Sequence, residues 1–196
     1  MKPDRARAAV RPWATWGAVT AALVPFAVPA LAAPLLYQRR EIFAGEFWRV
    51  ATGHFVHFGA SHLAWNALVV LVAGSWAETL APGRVRCYWA TAPFAIGGAL
   101  LALDPALAAY GGLSGVGTGL VVLLGTELWR RGGRDRTWAV ALFGLTALKL
   151  LADARGLGGV VHYADETIRT VPLAHAAGAI WAAAVAGGAA LRRPTP

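Results

Sequence analysis

Apolar residues run through this chain in long blocks at 13–36, 61–80, 87–103, 112–129, 137–152 and 171–191, and most charges fall between the blocks. A helix needs about 20 apolar residues, within a range of roughly 17–25, to cross the hydrocarbon of a bilayer. The pattern therefore predicts six membrane-spanning helices, an all-α polytopic membrane protein built as one domain over 1–196. The fifth block is the shortest. Trp13, Trp16, Trp76, Trp89, Trp129 and Trp138 lie near block ends, where amphipathic rings favour the membrane–water interface. Residues 37–60 carry Phe43, Phe47, Trp48, Phe55 and Phe58 among charges, a mixture that suits a segment lying in the interface.

The first block also resembles a secretory signal, with "MKPDRARAAVR" ahead of an apolar stretch and "ALAAP" after it. It is long for a signal core and further blocks follow, so a retained first span is the expectation.

Composition agrees with a membrane protein. Hydrophobic residues make up 57% of the chain and charged residues 14%, with mean hydropathy +0.52. A soluble domain carries about 25% charged residues, so this chain has too little polar surface to cover a water-soluble globule. The net charge of +8 does not point to nucleic acid, because the basic residues sit in short loops and tails. Cys87 is the one cysteine, which excludes an intramolecular disulfide and a cysteine-based metal site.

The basic residues also orient the chain. They gather at 2–11, 84–86, 130–136 and 192–193, against Arg39, Arg40, Arg49, Arg155 and Arg169 on the other side. The positive-inside rule then puts both ends in the cytoplasm. The loops 37–60 and 153–170, the latter with Asp153, Asp165 and Glu166, fall outside.

With that orientation, four polar residues share one depth near the outer face. His62 and Asn66, in "SHLAWNALVV", are four apart and share a helix face. Ser114 lies just inside the fourth span, in "YGGLSGVGTG", and His175 about one turn into the sixth, in "VPLAHAAGAI". Polar residues inside a membrane are costly, and each is a candidate for function. Gly111, Gly115 and Gly119 recur every four residues, and Ala174, Gly178 and Ala182 form a matching stripe. Small-xxx-small stripes let helix backbones approach closely in lipid, which would bring Ser114 towards His175. A serine becomes a nucleophile when a base takes its proton, and His62 and Asn66 can donate to an oxyanion. Blander readings exist for each residue. A glycine stripe can mean packing alone, a serine can bond its own backbone, and a histidine can join two helices. Spacing by itself does not separate a catalytic pair from a structural hydrogen bond. His54, His57 and His62 invite a metal reading, but "GHFVHFGASH" lacks an acidic or thiol ligand and the H-E-x-x-H pattern; no metal is expected, and His57 is expected to hydrogen-bond within the outer loop.

At these residues the chain resembles the rhomboid family of intramembrane serine proteases. "EFWRVATGHFVHFGASHLAWN" is similar to the rhomboid pattern of a Trp-Arg pair, a histidine and H-x-x-x-N, at Trp48, Arg49, His57, His62 and Asn66. "GLSG" resembles G-x-S-G, and "AHAAGAIWA" resembles A-H-x-x-G-x-x-x-G with Ala182 in place of the last glycine. The resemblance implies Ser114 as nucleophile, His175 as general base, and His62 and Asn66 at the oxyanion. It also implies no cofactor and a single-span membrane protein as substrate, cut within the bilayer. Many rhomboids carry a tyrosine against the histidine ring where this chain has Thr118, so the base must be positioned differently or less well. The compact size, "GHFVH" and "ALKLLAD" are similar to the rhombosortase branch. That branch implies a bacterial inner membrane, a site facing the periplasm, and substrates with a C-terminal Gly-Gly sorting tail. With no candidate third acid at that depth in either the fourth or the sixth span, packing is expected to orient the imidazole.

Overall fold

A computed structural model describes residues 10–157 and 170–188. Lys2, Arg5, Arg7, Asp165, Glu166, Arg169, Arg192 and Arg193, which entered the charge argument, lie outside the described residues.

Helix α1 runs Trp13–Ala27 and then breaks. A proline ring disfavours the helical region for the residue before it, and Val28, ahead of Pro29, takes φ −121° and ψ 83°. A 3₁₀ turn, Pro29–Leu31, leads into α2, Ala32–Leu35, and the second piece is bent 104° from the first. The block 13–36 is therefore not the one straight span that its hydropathy predicts.

The segment that follows is folded. It contains β1 (Tyr37–Gln38), α3 (Arg39–Phe43), α4 (Arg49–Thr52) and a 3₁₀ turn at Gly53–Phe55. Arg49 holds it in place. Its guanidinium donates to the carbonyls of Ala33 at 2.6 Å and Leu36 at 2.8 Å, and to Glu46 at 2.6 Å. The Trp48 indole donates to Pro34 and the Thr52 hydroxyl to Leu35, so the last carbonyls of α2 find donors that their own helix cannot supply. Phe43, Phe47, Trp48 and Phe58 face outward, while Phe55 is half-buried against the core.

The second block is one continuous helical segment, Ala60–Leu80. It comprises α5 (Ala60–Val69), a π-helical turn (Val70–Gly74) and α6 (Ser75–Leu80). Helix α7 covers Pro82–Leu103, starting ahead of the predicted 87 with proline in the first turn, where its missing N–H costs nothing. Its 22 residues reach about 33 Å, enough for a hydrocarbon core of about 30 Å. Then come β2 (Ala109–Tyr110), α8 (Ser114–Arg131), α9 (Asp135–Ala154) and α10 (Pro172–Gly188). The short pair β1–β2 is antiparallel, with Tyr37 opposite Tyr110. The block pattern gave no sign of it, because two residues carry no periodicity. It ties the 37–60 segment to the turn before α8.

Among the described residues, Ala60–Leu80 and Asp135–Ala154 are long and apolar enough to cross a membrane, and the bent pair at Trp13–Leu35 makes a third if it counts as one span. Helix α8 carries Glu127, Arg130 and Arg131 towards its end, and α10 has 17 described residues. Apolar side chains that face outward, such as Leu68, Val72, Leu145, Leu148 and Ile180, have lipid as their natural solvent.

Helices α8 and α10 form the centre and run parallel. Near their N-termini, a methyl group built on Gly178 would overlap the Gly115 carbonyl oxygen, and one on Gly115 would lie 2.7 Å from the Ala174 carbonyl oxygen. Near their C-termini, Arg130 donates to the Ala186 carbonyl at 2.8 Å. The Tyr88 hydroxyl of α7 wedges into this seam, donating to Val116 at 3.1 Å and approaching the Gly178 carbonyl, in space left by Gly119. At the far end Glu127 accepts from both Arg84 and Arg130, which joins α7 to α8, and the Arg130 bond to Ala186 extends the group to α10. Trp89 is half-buried, and its indole donates to Thr15.

Glu78 fixes α1. Its fully buried carboxylate accepts from the Ala14 and Thr15 amides, the Thr15 hydroxyl and Arg86. A carboxylate at a helix N-terminus satisfies orphan amides and complements the helix dipole. Hydrogen bonds to charged groups contribute about 1.5–3 kcal/mol. Glu78→Ala is therefore expected to destabilise the protein by about 2 kcal/mol or more, read as a fall of several degrees in melting temperature in detergent. An unchanged melting temperature would show that α1 is held by packing alone.

Candidate active site

The turn into α8 sets Ser114. Gly112 has φ +117°, a region that residues with a Cβ rarely adopt, and its amide donates to Gly53. The Tyr110 hydroxyl donates to the Gly112 carbonyl at 2.9 Å, and the Leu113 amide donates to His57 Nε2 at 3.3 Å. His57 can accept there because it is neutral. Burial and the neighbouring His62 push its pKa down to about 3. Its Nδ1–H donates to Phe55 at 3.3 Å, as the sequence reading expected of a loop histidine. His54 is likewise held neutral, pushed down to about 4 by burial, and donates from Nε2 to the Pro93 carbonyl at 3.0 Å. Ser114 then starts the helix and is half-buried. Its N–H is among the first four amides, which have no acceptor within the helix, at the positive end of the helix dipole.

His175 lies in the first turn of α10 and is 2% exposed. The contact of Gly115 with Ala174 places Ser114 and His175 each one residue from touching backbones. Among the described residues no hydrogen bond joins the Ser114 hydroxyl to His175. Catalytic hydrogen bonds are often long without substrate and tighten in the Michaelis complex.

His175 is not oriented by packing alone, which corrects the sequence reading. Its Nδ1 lies 2.6 Å from Asp153 Oδ2, and Lys149 Nζ lies 2.9 Å from the same oxygen and 3.0 Å from Nδ1. Hydropathy ended the fifth block at 152 and left Asp153 in a loop. Helix α9 continues through Ala154 and buries Asp153, at 3% exposure. The signal was present in "ALKLLAD": Lys149 and Asp153 are four apart on one helix face at the edge of an apolar run, where ionisable residues point to function. The Thr118 hydroxyl donates to the Ser114 carbonyl at 2.8 Å, with no hydrogen bond to His175 among the described residues.

His62 and Asn66 come to the same place from α5. The His62 ring packs on Gly112, where an added methyl would lie 2.7 Å from it and 3.8 Å from Asn66 Nδ2. Asn66 Nδ2 donates to the His62 carbonyl at 2.8 Å. Phe58 stacks over the His62 ring, and His57 meets it edge-on at 5.0 Å. Among the described residues no three His, Cys, Asp or Glu side chains gather as a metal site would require. Gly111 departs from the predicted stripe. It lies ahead of α8 and packs on Val56 and Phe58, while Gly115 and Gly119 face α10. The structure thus brings Ser114, His175, His62 and Asn66 to one end of the bundle, opposite the end that carries Arg84, Arg86 and Arg130.

The family model for the Rhomboid domain matches residues 44–190. The chain belongs to the rhomboid family. That family is one of intramembrane serine proteases, and it also includes inactive members. No curated protein matches the chain. The matched span covers every element of this rhomboid that reaches the candidate site, from the Arg49 segment to α10.

The α8–α10 contact yields a test. Gly178→Val has no room beside the Gly115 carbonyl and must push the helices apart. A displacement of about 1 Å at a catalytic pair can cost about 10²-fold in rate. Turnover is expected to fall at least that far while the protein remains folded in detergent. Unchanged turnover would show that the close contact is not needed.

Proposed function

We propose that this rhomboid is an active intramembrane serine endopeptidase, in which Ser114 is the nucleophile and His175 the general base. The observation that carries the proposal is that both residues sit at the N-terminal ends of two parallel helices whose backbones touch through Gly115 and Gly178. His175 Nε2 takes the Ser114 hydroxyl proton as Oγ attacks the scissile carbonyl. The oxyanion is met by the Ser114 amide with His62 and Asn66. Collapse breaks the C–N bond, and the departing nitrogen takes the proton from His175. Water, activated by the same imidazole, then hydrolyses the acyl-enzyme and frees Ser114. The chemistry requires no cofactor.

In this reading the chain is one membrane domain with six spans and both ends in the cytoplasm. The arginine-rich end of the bundle, with Arg84, Arg86 and Arg130, supports that orientation. The site then faces the periplasmic side of a bacterial inner membrane. The substrate is a single-span membrane protein, and the resemblance to rhombosortases favours a C-terminal Gly-Gly sorting tail. A peptide bond inside a helix is shielded, and each glycine weakens a helix by about 1 kcal/mol relative to alanine. A Gly-Gly pair at the outer end of a span would open the bond at the depth of Ser114.

The experiment is a reporter with a Gly-Gly, apolar, arginine-rich tail, co-expressed with the enzyme. Release is expected, is expected to be lost with Ser114→Ala or His175→Ala, and is expected to fall sharply when the two glycines become leucines. Release that survives Ser114→Ala would overturn the serine mechanism. Equal release from the leucine tail would make this a general rhomboid protease. His62→Ala and Asn66→Ala are expected to be slower rather than dead, because loss of one oxyanion donor costs about 10²–10³ in kcat and the Ser114 amide remains. Wild-type kcat in both variants would place the oxyanion hole elsewhere.

A further inference from the structure

The fully buried carboxylate of Asp153 has one oxygen, Oδ2, shared by His175 and Lys149, while Oδ1 meets no donor among the described residues. A buried carboxylate is costly unless paired and hydrogen-bonded, so its position calls for a reason. One reason would be an ordinary ion pair between Lys149 and Asp153 at i,i+4 on α9. That leaves unexplained why Oδ2 lies closer to the imidazole, at 2.6 Å, than to the ammonium, at 2.9 Å.

We propose that Asp153 is the positioning residue of the active site. By accepting the Nδ1 proton of His175, it keeps Nε2 unprotonated and aimed at Ser114, and Lys149 supplies the counter-charge that keeps the carboxylate ionised. The proposal rests on the reading of Ser114 and His175 as nucleophile and base. It makes the site a Ser-His-Asp arrangement assembled from α8, α10 and α9, where the family resemblance implies a pair.

The chemistry of the three groups argues for it. A neutral imidazole carries one proton, and the nitrogen without it is the base. A carboxylate accepts only, so Asp153 favours the proton on Nδ1 and leaves Nε2 free to take the serine proton, the tautomer that serine hydrolases need. A lysine ammonium donates only. Standing 3.0 Å from Nδ1, Lys149 would favour the opposite tautomer if Asp153 were absent, with the proton on Nε2 and no base facing Ser114. With the carboxylate present, the ammonium turns its hydrogens to Oδ2 instead. Thr118, whose hydroxyl is committed to the Ser114 carbonyl, offers the ring no alternative partner. Asp153 thus takes over the orienting task at a site where Thr118 stands in the place of an aromatic ring.

The test measures the rate at which a fluorophosphonate acylates Ser114 in purified protein, which requires no knowledge of the substrate. Asp153→Asn is expected to slow acylation by about 10²–10⁴-fold. The double variant Asp153→Asn with Lys149→Met is expected to recover at least about tenfold, because the donor that favours the wrong tautomer is gone; tenfold corresponds to a modest shift in tautomer population. A purely structural ion pair predicts the reverse, a double variant no faster than the single one, and that result would overturn the proposal. So would wild-type acylation in Asp153→Asn. Nitrogen-15 shifts of His175 in the wild-type protein test the same point without any variant. A protonated Nδ1 is expected, and a protonated Nε2 would overturn the proposal. If the wild-type protein shows a protonated Nδ1 but Ser114 is never acylated, the protease reading fails while the positioning geometry stands.

Discussion

The backbone contact between α8 and α10 is the constraint on which the rest of the structure depends. Lipid gives apolar helices no hydrophobic reason to associate, so close association rests on packing. Gly115 and Gly178 bring no side chain of their own to the contact, and the two backbones touch. Because the helices are parallel, the same contact fixes the relative height of Ser114 and His175. The Tyr88 wedge and the Arg84–Glu127–Arg130 group, with Arg130 on Ala186, hold the seam at its middle and far end. The near end is held by the turn at Gly112, pinned by Gly53 and His57.

The buried carboxylates follow one rule and divide into two groups. Glu78 and Glu127 meet arginines or helix-end amides at the arginine-rich end and serve as fasteners. Asp153 meets a lysine and a histidine at the opposite end. The same requirement, that a buried carboxylate be paired and hydrogen-bonded, is met in the first group by arginines and backbone amides, and in the second by a lysine together with an imidazole, whose ring nitrogens can give or take a proton. That difference separates a structural contact from one able to participate in chemistry.

Much of this was legible in the sequence, and the limits have physical causes. Helical blocks and the shared depth of His62, Asn66, Ser114 and His175 follow from hydropathy and spacing, because burial in lipid demands long apolar runs. The α8–α10 seam follows from the four-residue recurrence of small residues. The bend at Val28 was signalled by Pro29, yet hydropathy is blind to backbone direction and predicted a single span. Gly111 shares the spacing of Gly115 and Gly119 but precedes the helix, and spacing has no meaning outside one. Asp153 was lost because the hydropathy boundary was drawn where the apolar run ends, at 152, while the helix continues until its hydrogen bonds stop. The β1–β2 pair depends on contact between segments far apart in the chain, which no local pattern carries.

The central claim is that the α8–α10 contact makes Ser114 a nucleophile served by His175. Its most direct test is mass spectrometry of the purified protein after exposure to a fluorophosphonate. The account predicts one covalent adduct, on Ser114, that disappears when His175 is replaced by alanine. Modification of a different serine, or labelling of Ser114 that persists without His175, would contradict it.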